Sequence, residues 1–162
     1  MQASEYLKLA YQFAAEHSDD PRTQTGAIIV NKDGIIIGRG ANRIPPGVQV
    51  LDERKSPEQK PNFIGHAERN AVADAARQGH KTEGAILYGF WAACAVCAQA
   101  IIEAGIKEVV VHKQIMDKTP PKWQASISIA MLMFAEAGIS VVYHDEDKLG
   151  VKILFDGQTV EF

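Results

Sequence analysis

The stretches His66-Ala67-Glu68 and Cys94-Ala95-Val96-Cys97 decide how this chain is interpreted. One histidine and two cysteines can hold a zinc ion and leave its fourth tetrahedral position open to water. The two cysteines are three residues apart and would share one face of a helix, so both thiols can reach the same ion. His66 and Glu68 are two residues apart and diverge on a regular helix, which suits a ligand beside a general base. The pattern predicts a hydrolytic zinc site with Glu68 as its catalytic proton carrier.

The composition indicates one small domain. The chain has 162 residues, of which 46% are hydrophobic, so we expect a single compact unit over 1–162. The net charge of -3 and the lack of a dense Lys/Arg stripe favour a small polar substrate over long nucleic acid. No run of 18 apolar residues and no signal-peptide core is visible, so we expect no membrane segment and a cytoplasmic protein. The only two cysteines form the Cys-x-x-Cys pair, which indicates metal or redox chemistry rather than a structural disulfide.

Hydrophobic periodicity and turn signals predict alternating helices and strands. Helices are expected over about 5–18, 66–77, 94–103 and 126–137, and strands over 26–30, 35–39, 85–88, 108–112 and 140–143. Ser4 is a candidate cap of the first helix, 44–64 resembles a long pocket-forming loop, and 151–162 resembles a terminal hairpin. The class is α/β, with a central mixed sheet flanked by helices.

The two metal motifs resemble the H-x-E and P-C-x-x-C signature of the zinc-dependent cytidine deaminase superfamily, with 28 residues from His66 to Cys94. Within it, deoxycytidylate deaminases are the most similar: Asp20 to Val30 resembles their first-strand motif, and Gly40 to Val48 resembles their G-Y-N-x-x-P-x-G-V loop. The resemblance implies a three-layer α/β/α cytidine-deaminase-like fold, one catalytic zinc per chain and a homo-oligomer. It also implies hydrolysis of a cytosine nucleotide, dCMP to dUMP, with release of ammonia.

The resemblance also implies roles for backbone and side-chain groups around the metal. The backbone N–H of Ala67 would anchor the ring, Asn42 would bind a sugar hydroxyl or the base, and the Ala92 carbonyl would lie near the leaving amine. One departure is Ala93, which stands where the family has a proline before the first cysteine. Another is that 47–65 lacks the Cys and His that hold a second, structural zinc in several deoxycytidylate deaminases.

Three further side chains are candidates for substrate contact. Arg22 and Arg43 lie in the two resembling segments and could meet a 5′-phosphate, although a loop arginine is more often a solvated charge. Trp91 could stack on the base, but an aromatic beside a buried strand equally fits a core position.

Several alternatives remain open at this point. The Cys-x-x-Cys pair could be a thioredoxin-like redox site, or the zinc could be structural in a non-catalytic interaction domain, with His112 as the candidate fourth ligand. Among deaminases, the metal motifs do not separate a nucleotide from a nucleoside, a free base or another amino-heterocycle such as guanine. A polynucleotide-editing deaminase is disfavoured by the acidic charge balance.

Overall fold

The computed structural model describes residues 1–145 and 148–162. The helices are α1 (Ala3–His17), α2 (Lys60–Phe63), α3 (Ala67–Arg77), α4 (Ala95–Glu103), α5 (Lys113–Met116) and α6 (Pro121–Glu136), with a 3-10 turn over Asp52–Lys55. The strands are β1 (Gly26–Val30), β2 (Ile36–Ala41), β3 (Ile86–Gly89), β4 (Glu108–His112), β5 (Ser140–His144), β6 (Lys152–Phe155) and β7 (Gln158–Glu161). In these ranges, no helix has both the length and the apolarity needed to cross a bilayer.

The main sheet is mixed, as the sequence predicts. Its five strands lie in the order β2-β1-β3-β4-β5. β1 pairs antiparallel with both β2 and β3, whereas β3, β4 and β5 run parallel to one another. The two parallel crossovers each contain a helix, α4 between β3 and β4 and α6 between β4 and β5, as βαβ units require.

Helices and a small hairpin cover the two faces of this sheet, so the expected three-layer architecture is confirmed. On one face, Leu87 and Val109 of the sheet pack with residues of α3, α4 and α6. On the other face, Ile28 and Val110 pack with α1 and with the β6/β7 hairpin. The metal motifs belong to the first face, because Ala67 and Cys97 are part of that cluster.

Helix α3 lies unusually close to β2 because two glycines leave room for its backbone. A Cβ added at Gly38 would stand 2.5 Å from the carbonyl oxygen of Ala71, and one at Gly40 would overlap the carbonyl oxygen of Ala67. These neighbours are helix backbone and cannot rotate away. The close contact therefore fixes the height of α3, including its first turn, above the sheet.

Several element boundaries differ from the sequence-based expectations. α6 begins at Pro121, five residues before the predicted start at Ser126, because Pro120 and Pro121 form a helix start with proline at the first helical position. Ser4 lies inside α1 and not at its cap, since Gln2 precedes the helix and its N–H donates to Glu5 at 2.6 Å. The segment 44–64 is not uniformly irregular, because it contains the 3-10 turn and α2.

The C-terminal hairpin packs on the body of the fold. Phe162 is 1% exposed and lies against Tyr11 and His112, with ring centroids 5.5 and 6.4 Å away. The hairpin also binds the segment before β1, because Leu154 accepts a backbone hydrogen bond from Gln24 at 2.9 Å. These contacts make the hairpin part of the layer that α1 forms.

Gly40→Ala should test the close approach of α3. The added methyl group would meet helix backbone, so overpacking should lower the free energy of unfolding by about 1–3 kcal/mol or more. Gly89→Ala is the matched control, since the nearest atom to its Cβ would be the end of the Leu87 side chain at 3.3 Å and not helix backbone, and its effect should be smaller, within about 1 kcal/mol. Denaturant unfolding at one fixed zinc concentration measures both. Equal stabilities for the two variants would contradict the proposed packing.

Candidate metal centre and active site

The three predicted metal donors converge at the amino ends of two helices. His66 is the residue before α3, Cys94 is the residue before α4, and Cys97 lies in the first turn of α4. His66 Nδ1 stands 3.4 Å from Cys94 Sγ and 3.5 Å from Cys97 Sγ, and the three donor atoms all lie within 4.8 Å of one another. Donors bound to tetrahedral zinc at about 2.0 Å (nitrogen) and 2.3 Å (sulfur) are separated by about 3.5–3.8 Å. The cluster therefore fits zinc in both donor type and spacing.

The electrostatics of the cysteine pair favour metal capture. The hydrogen bond from Cys97 lowers the pKa of Cys94 to about 4, helped by the bond to His66 and opposed by burial. The pKa of Cys97 is raised, because it donates that hydrogen bond and is buried. The hydrogen bond between the two cysteines and the helix amino end therefore both favour the thiolate form of Cys94.

Glu68 lies in the first turn of α3, beside the donor cluster but outside it. Its carboxyl group is a hydrogen-bond partner of Cys97. Burial raises the pKa of Glu68, and the neighbouring His66 opposes that shift. Within residues 1–145 and 148–162, the donors that converge are His66, Cys94 and Cys97. This arrangement leaves one tetrahedral position without a protein ligand.

His112, the candidate fourth ligand, lies on the opposite face of the sheet. It is fully buried, and its Nδ1 is 2.8 Å from the hydroxyl of Tyr11 on α1. The ring also lies edge-on to Tyr11, with centroids 5.6 Å apart. A structural site closed by His112 is therefore wrong for this fold.

Three residues that the sequence analysis did not single out hold the site together. Asn70 Nδ2 donates to the carbonyls of Ala41 and Gly65 at 2.8 and 3.0 Å, which ties the approach to His66 to the end of β2. Ser126 Oγ accepts the N–H of Ala95 at 2.9 Å, which caps α4 from α6. Trp123 lies edge-on to the His66 ring, with centroids 5.7 Å apart and an angle of 78°. The predicted start of α6 at Ser126 leaves Trp123 outside the predicted helix, so its contact with His66 could not be expected from the sequence.

Asn42, directly after β2, is buried, and its amide is fully hydrogen-bonded. Its Oδ1 accepts from Ser18 Oγ at 2.6 Å and from the Thr25 N–H at 2.8 Å. Its Nδ2 donates to the Thr23 carbonyl at 2.7 Å and to Asp20 Oδ2 at 3.1 Å. An amide offers two donor hydrogens and two acceptor lone pairs. A contact between Asn42 and a substrate would therefore require one of these four bonds to be exchanged.

The two candidate arginines have different surroundings. Arg22 Nη2 is 2.6 Å from Asp156 Oδ1 of the C-terminal hairpin, and both side chains are well exposed. Arg43 lies beside the metal ligand, because its backbone pairs in both directions with Gly65, at 3.1 and 2.9 Å, directly before His66. The structure therefore places the backbone of Arg43 next to the residue before His66, whereas the side chain of Arg22 is paired with the hairpin.

Trp91 is held by the protein itself. Its Nε1 donates to the carbonyl of Ile115 at 3.2 Å, and its ring lies 6.1 Å from the ring of Phe155 in the hairpin. The side chain packs against the cluster on the α1 face of the sheet. The sequence allows either base stacking or a core position for Trp91, and these contacts agree with the core position.

The two candidate backbone anchors lie at the two helix starts. Ala67 is the first residue of α3, and N–H groups in the first helical turn have no partner within the helix. Ala92 is fully buried two residues before Cys94. Ala93, which lies between Ala92 and Cys94, has a φ of 82°. A proline ring fixes φ near −65°, so the backbone here departs from the family's proline geometry.

Comparison with known proteins agrees with this geometry. Residues 1–113 match the family model of the cytidine and deoxycytidylate deaminase zinc-binding region. Human deoxycytidylate deaminase is 34% identical over 142 residues, which span 84% of this chain and 76% of the human protein. An uncharacterized deaminase encoded in the luxG 3′ region of Aliivibrio fischeri is 33% identical over 143 residues, spanning 86% of this chain and 94% of that protein.

A solved structure gives the same result. The dCMP deaminase of cyanophage S-TIM5, crystallised in complex with dCMP and dUMP, superimposes with a TM-score of 0.67 at 26% identity and covers 86% of this chain and 94% of its own. The redox and non-catalytic alternatives are excluded by this relationship together with the three converging donors. The chain belongs to the cytidine and deoxycytidylate deaminase family and is a zinc-dependent hydrolytic deaminase.

Proposed function

We propose that this protein hydrolyses the amino group of dCMP to give dUMP and ammonia. The observation that carries the proposal is the cluster of His66, Cys94 and Cys97 with Glu68 beside it, which leaves one ligand position for water. The named substrate rests on the deoxycytidylate deaminases among the relatives, including the human protein and the phage enzyme crystallised with dCMP and dUMP. The alternative substrates are a nucleoside, a free base or another amino-heterocycle such as guanine, and a substrate panel separates them.

The metal and the chain divide the chemistry between them. Held by His66, Cys94 and Cys97, a zinc ion would supply a water molecule activated as a nucleophile near neutral pH. Glu68 would take one proton of the water and deliver it to the ring nitrogen beside C4. It would then transfer the second proton of the water, from the new C4 hydroxyl, to the departing amine. The new bond is C4–O and the broken bond is C4–N, so the products are the uracil ring and ammonia.

Backbone groups at the two helix starts would orient the ring. The N–H of Ala67, in the first turn of α3, is available to donate to the pyrimidine. The carbonyl of Ala92, just before the cysteine pair, would accept from the amine as it leaves. Asn42 would contribute a sugar or base contact if it exchanged one of its internal hydrogen bonds.

We propose Arg43 as the principal cation for the 5′-phosphate. Its backbone is bonded to Gly65, the residue before the metal ligand His66, so its side chain starts close to the site. Arg22 would have to leave Asp156 before it could contribute. An arginine can make two charge-assisted hydrogen bonds to phosphate oxygens, which a nucleoside lacks.

We also propose that residues 1–162 form one deaminase domain that works as a cytoplasmic homo-oligomer. The docked hairpin supports a single domain, and two cysteine ligands that form no disulfide with each other suit a reducing compartment. Exposed apolar side chains on α6 and β5 support association: Ile129, Leu132, Val142 and Tyr143.

The substrate should be identified by ammonia release from the zinc-loaded protein. We expect dCMP to give the highest kcat/KM in a panel with deoxycytidine, CMP, cytosine, adenosine and guanine. Glu68→Gln should keep its zinc and lose activity about 10²- to 10⁴-fold, because the proton carrier is gone. Glu103→Gln, at the far end of α4, is the matched control and should stay active. A preference for an unphosphorylated compound, or an active Glu68→Gln variant, would contradict the proposal.

Arg43→Ala should separate nucleotide from nucleoside recognition. Loss of a charge-assisted contact should lower kcat/KM for dCMP about 10- to 100-fold and leave the value for deoxycytidine nearly unchanged. Arg77→Ala is the matched control, since Arg77 pairs with Asp74 at the carboxyl end of α3. Arg22→Ala, measured in parallel, should have the smaller effect. An equal loss with both substrates in Arg43→Ala would show that Arg43 does not bind the phosphate.

A further inference from the structure

Trp123 lies on the part of α6 that crosses the metal centre. Ser126 Oγ accepts the N–H of Ala95 at 2.9 Å, which fixes the start of α6 against the start of α4. Trp123 is three residues before Ser126 and therefore lies on the same face of the helix. Its indole ring meets the imidazole of His66 edge-on, with centroids 5.7 Å apart. The register of α6 thus places an aromatic ring beside a metal ligand.

The indole of Trp123 remains partly open to solvent. The residue is 38% exposed, although it touches a ligand at the centre of the site. Its only other close aromatic or cationic neighbour among the described contacts is Lys122, whose Nζ lies 5.8 Å from the ring centroid on an exposed, flexible side chain. An aromatic that served only the core would be covered. The ring therefore keeps solvent-accessible surface while it touches a metal ligand.

The second tryptophan of the chain is not in this position. Trp91 uses its Nε1 to bond the Ile115 carbonyl and packs against Phe155. A flat heterocycle that approaches the metal needs an apolar wall as well as polar anchors. Trp123 is the tryptophan whose ring both touches a metal ligand and keeps exposed surface.

We propose that Trp123 contacts the pyrimidine ring of the substrate and forms a wall of the binding pocket. This inference rests on the proposed deamination of dCMP. An indole provides a large, rigid aromatic surface that a base can stack on or meet edge-on, and such contacts strengthen binding without taking part in the proton transfers. The role is distinct from that of Glu68, because it acts on the affinity for the ring and not on the chemical step.

Steady-state kinetics of Trp123→Ala and Trp123→Phe test this role. Trp123→Ala should raise the KM for dCMP about 10- to 100-fold with a smaller change in kcat, whereas Trp123→Phe keeps an aromatic ring and should recover most of the loss. Zinc content should be equal in both variants and in the unmodified protein. Gln124→Ala, an exposed neighbour on the same helix, is the control and should leave KM unchanged.

Fluorescence gives an independent readout of the same contact. The chain has two tryptophans, so titration with dUMP should quench the unmodified protein and Trp91→Phe but not Trp123→Phe. Loss of zinc in Trp123→Ala would mean that the ring only orients His66, and an unchanged KM would mean that it does not touch substrate. Either result would overturn the inference and leave dCMP deamination standing. Absence of dCMP turnover in the unmodified protein would instead overturn the proposed function and the substrate assigned to Trp123 with it.

Discussion

The meeting of the amino ends of α3 and α4 is the constraint on which the rest of the site depends. It brings the donor before α3 within 3.5 Å of the two sulfurs at the start of α4. The meeting depends on packing, because the helices reach this point only if α3 lies close to β2. The two glycines of β2 allow that approach, and a side chain at either would collide with helix backbone. Catalytic geometry is thus set by the absence of two side chains on a neighbouring strand.

The same arrangement creates the electrostatic character of the site. Two helix amino ends direct partial positive charge at one point, where a thiolate on Cys94 is stabilised by Cys97 and His66. Polar side chains also hold the segments before β1 and after β2. Asn42 binds four partners, and Asp20 accepts hydrogen bonds from the N–H groups of Arg22 and Thr23 while it also pairs with Lys60. Internal polar contacts therefore hold these segments in place before a substrate arrives.

The core of this arrangement could be predicted from the sequence because its determinants are local. The spacing of the cysteines, the glycine stops and the apolar strands each act within a few residues, and β4 was predicted with its observed bounds. Contacts between distant segments could not be predicted. The pairing of Arg22 with Asp156 links residues 134 positions apart, and the contact of Trp123 with His66 depends on the register of α6. The sequence predicts this helix only from about Ser126, so Trp123 falls outside the predicted helix, whereas the helix begins at Pro121.

The backbone conformation at Ala93 also differs from the one that the family signature implies. Family resemblance would place a proline's φ before the first cysteine, yet this chain has an alanine with a positive φ there. The donor atoms still converge, since Ser126 caps α4 and supports its first turn from another helix. A contact made across the fold therefore replaces part of what a local ring constraint provides in relatives.

The number of protein ligands on the metal is the central claim, and X-ray absorption at the zinc edge of the metal-loaded protein measures it most directly. The account predicts two sulfur neighbours at about 2.3 Å with one histidine nitrogen and one oxygen at about 2.0 Å, the signature of three protein ligands and a water. A shell made up entirely of protein donors, with a second imidazole in place of the oxygen, would mean that the site is closed and would contradict hydrolytic catalysis at this metal.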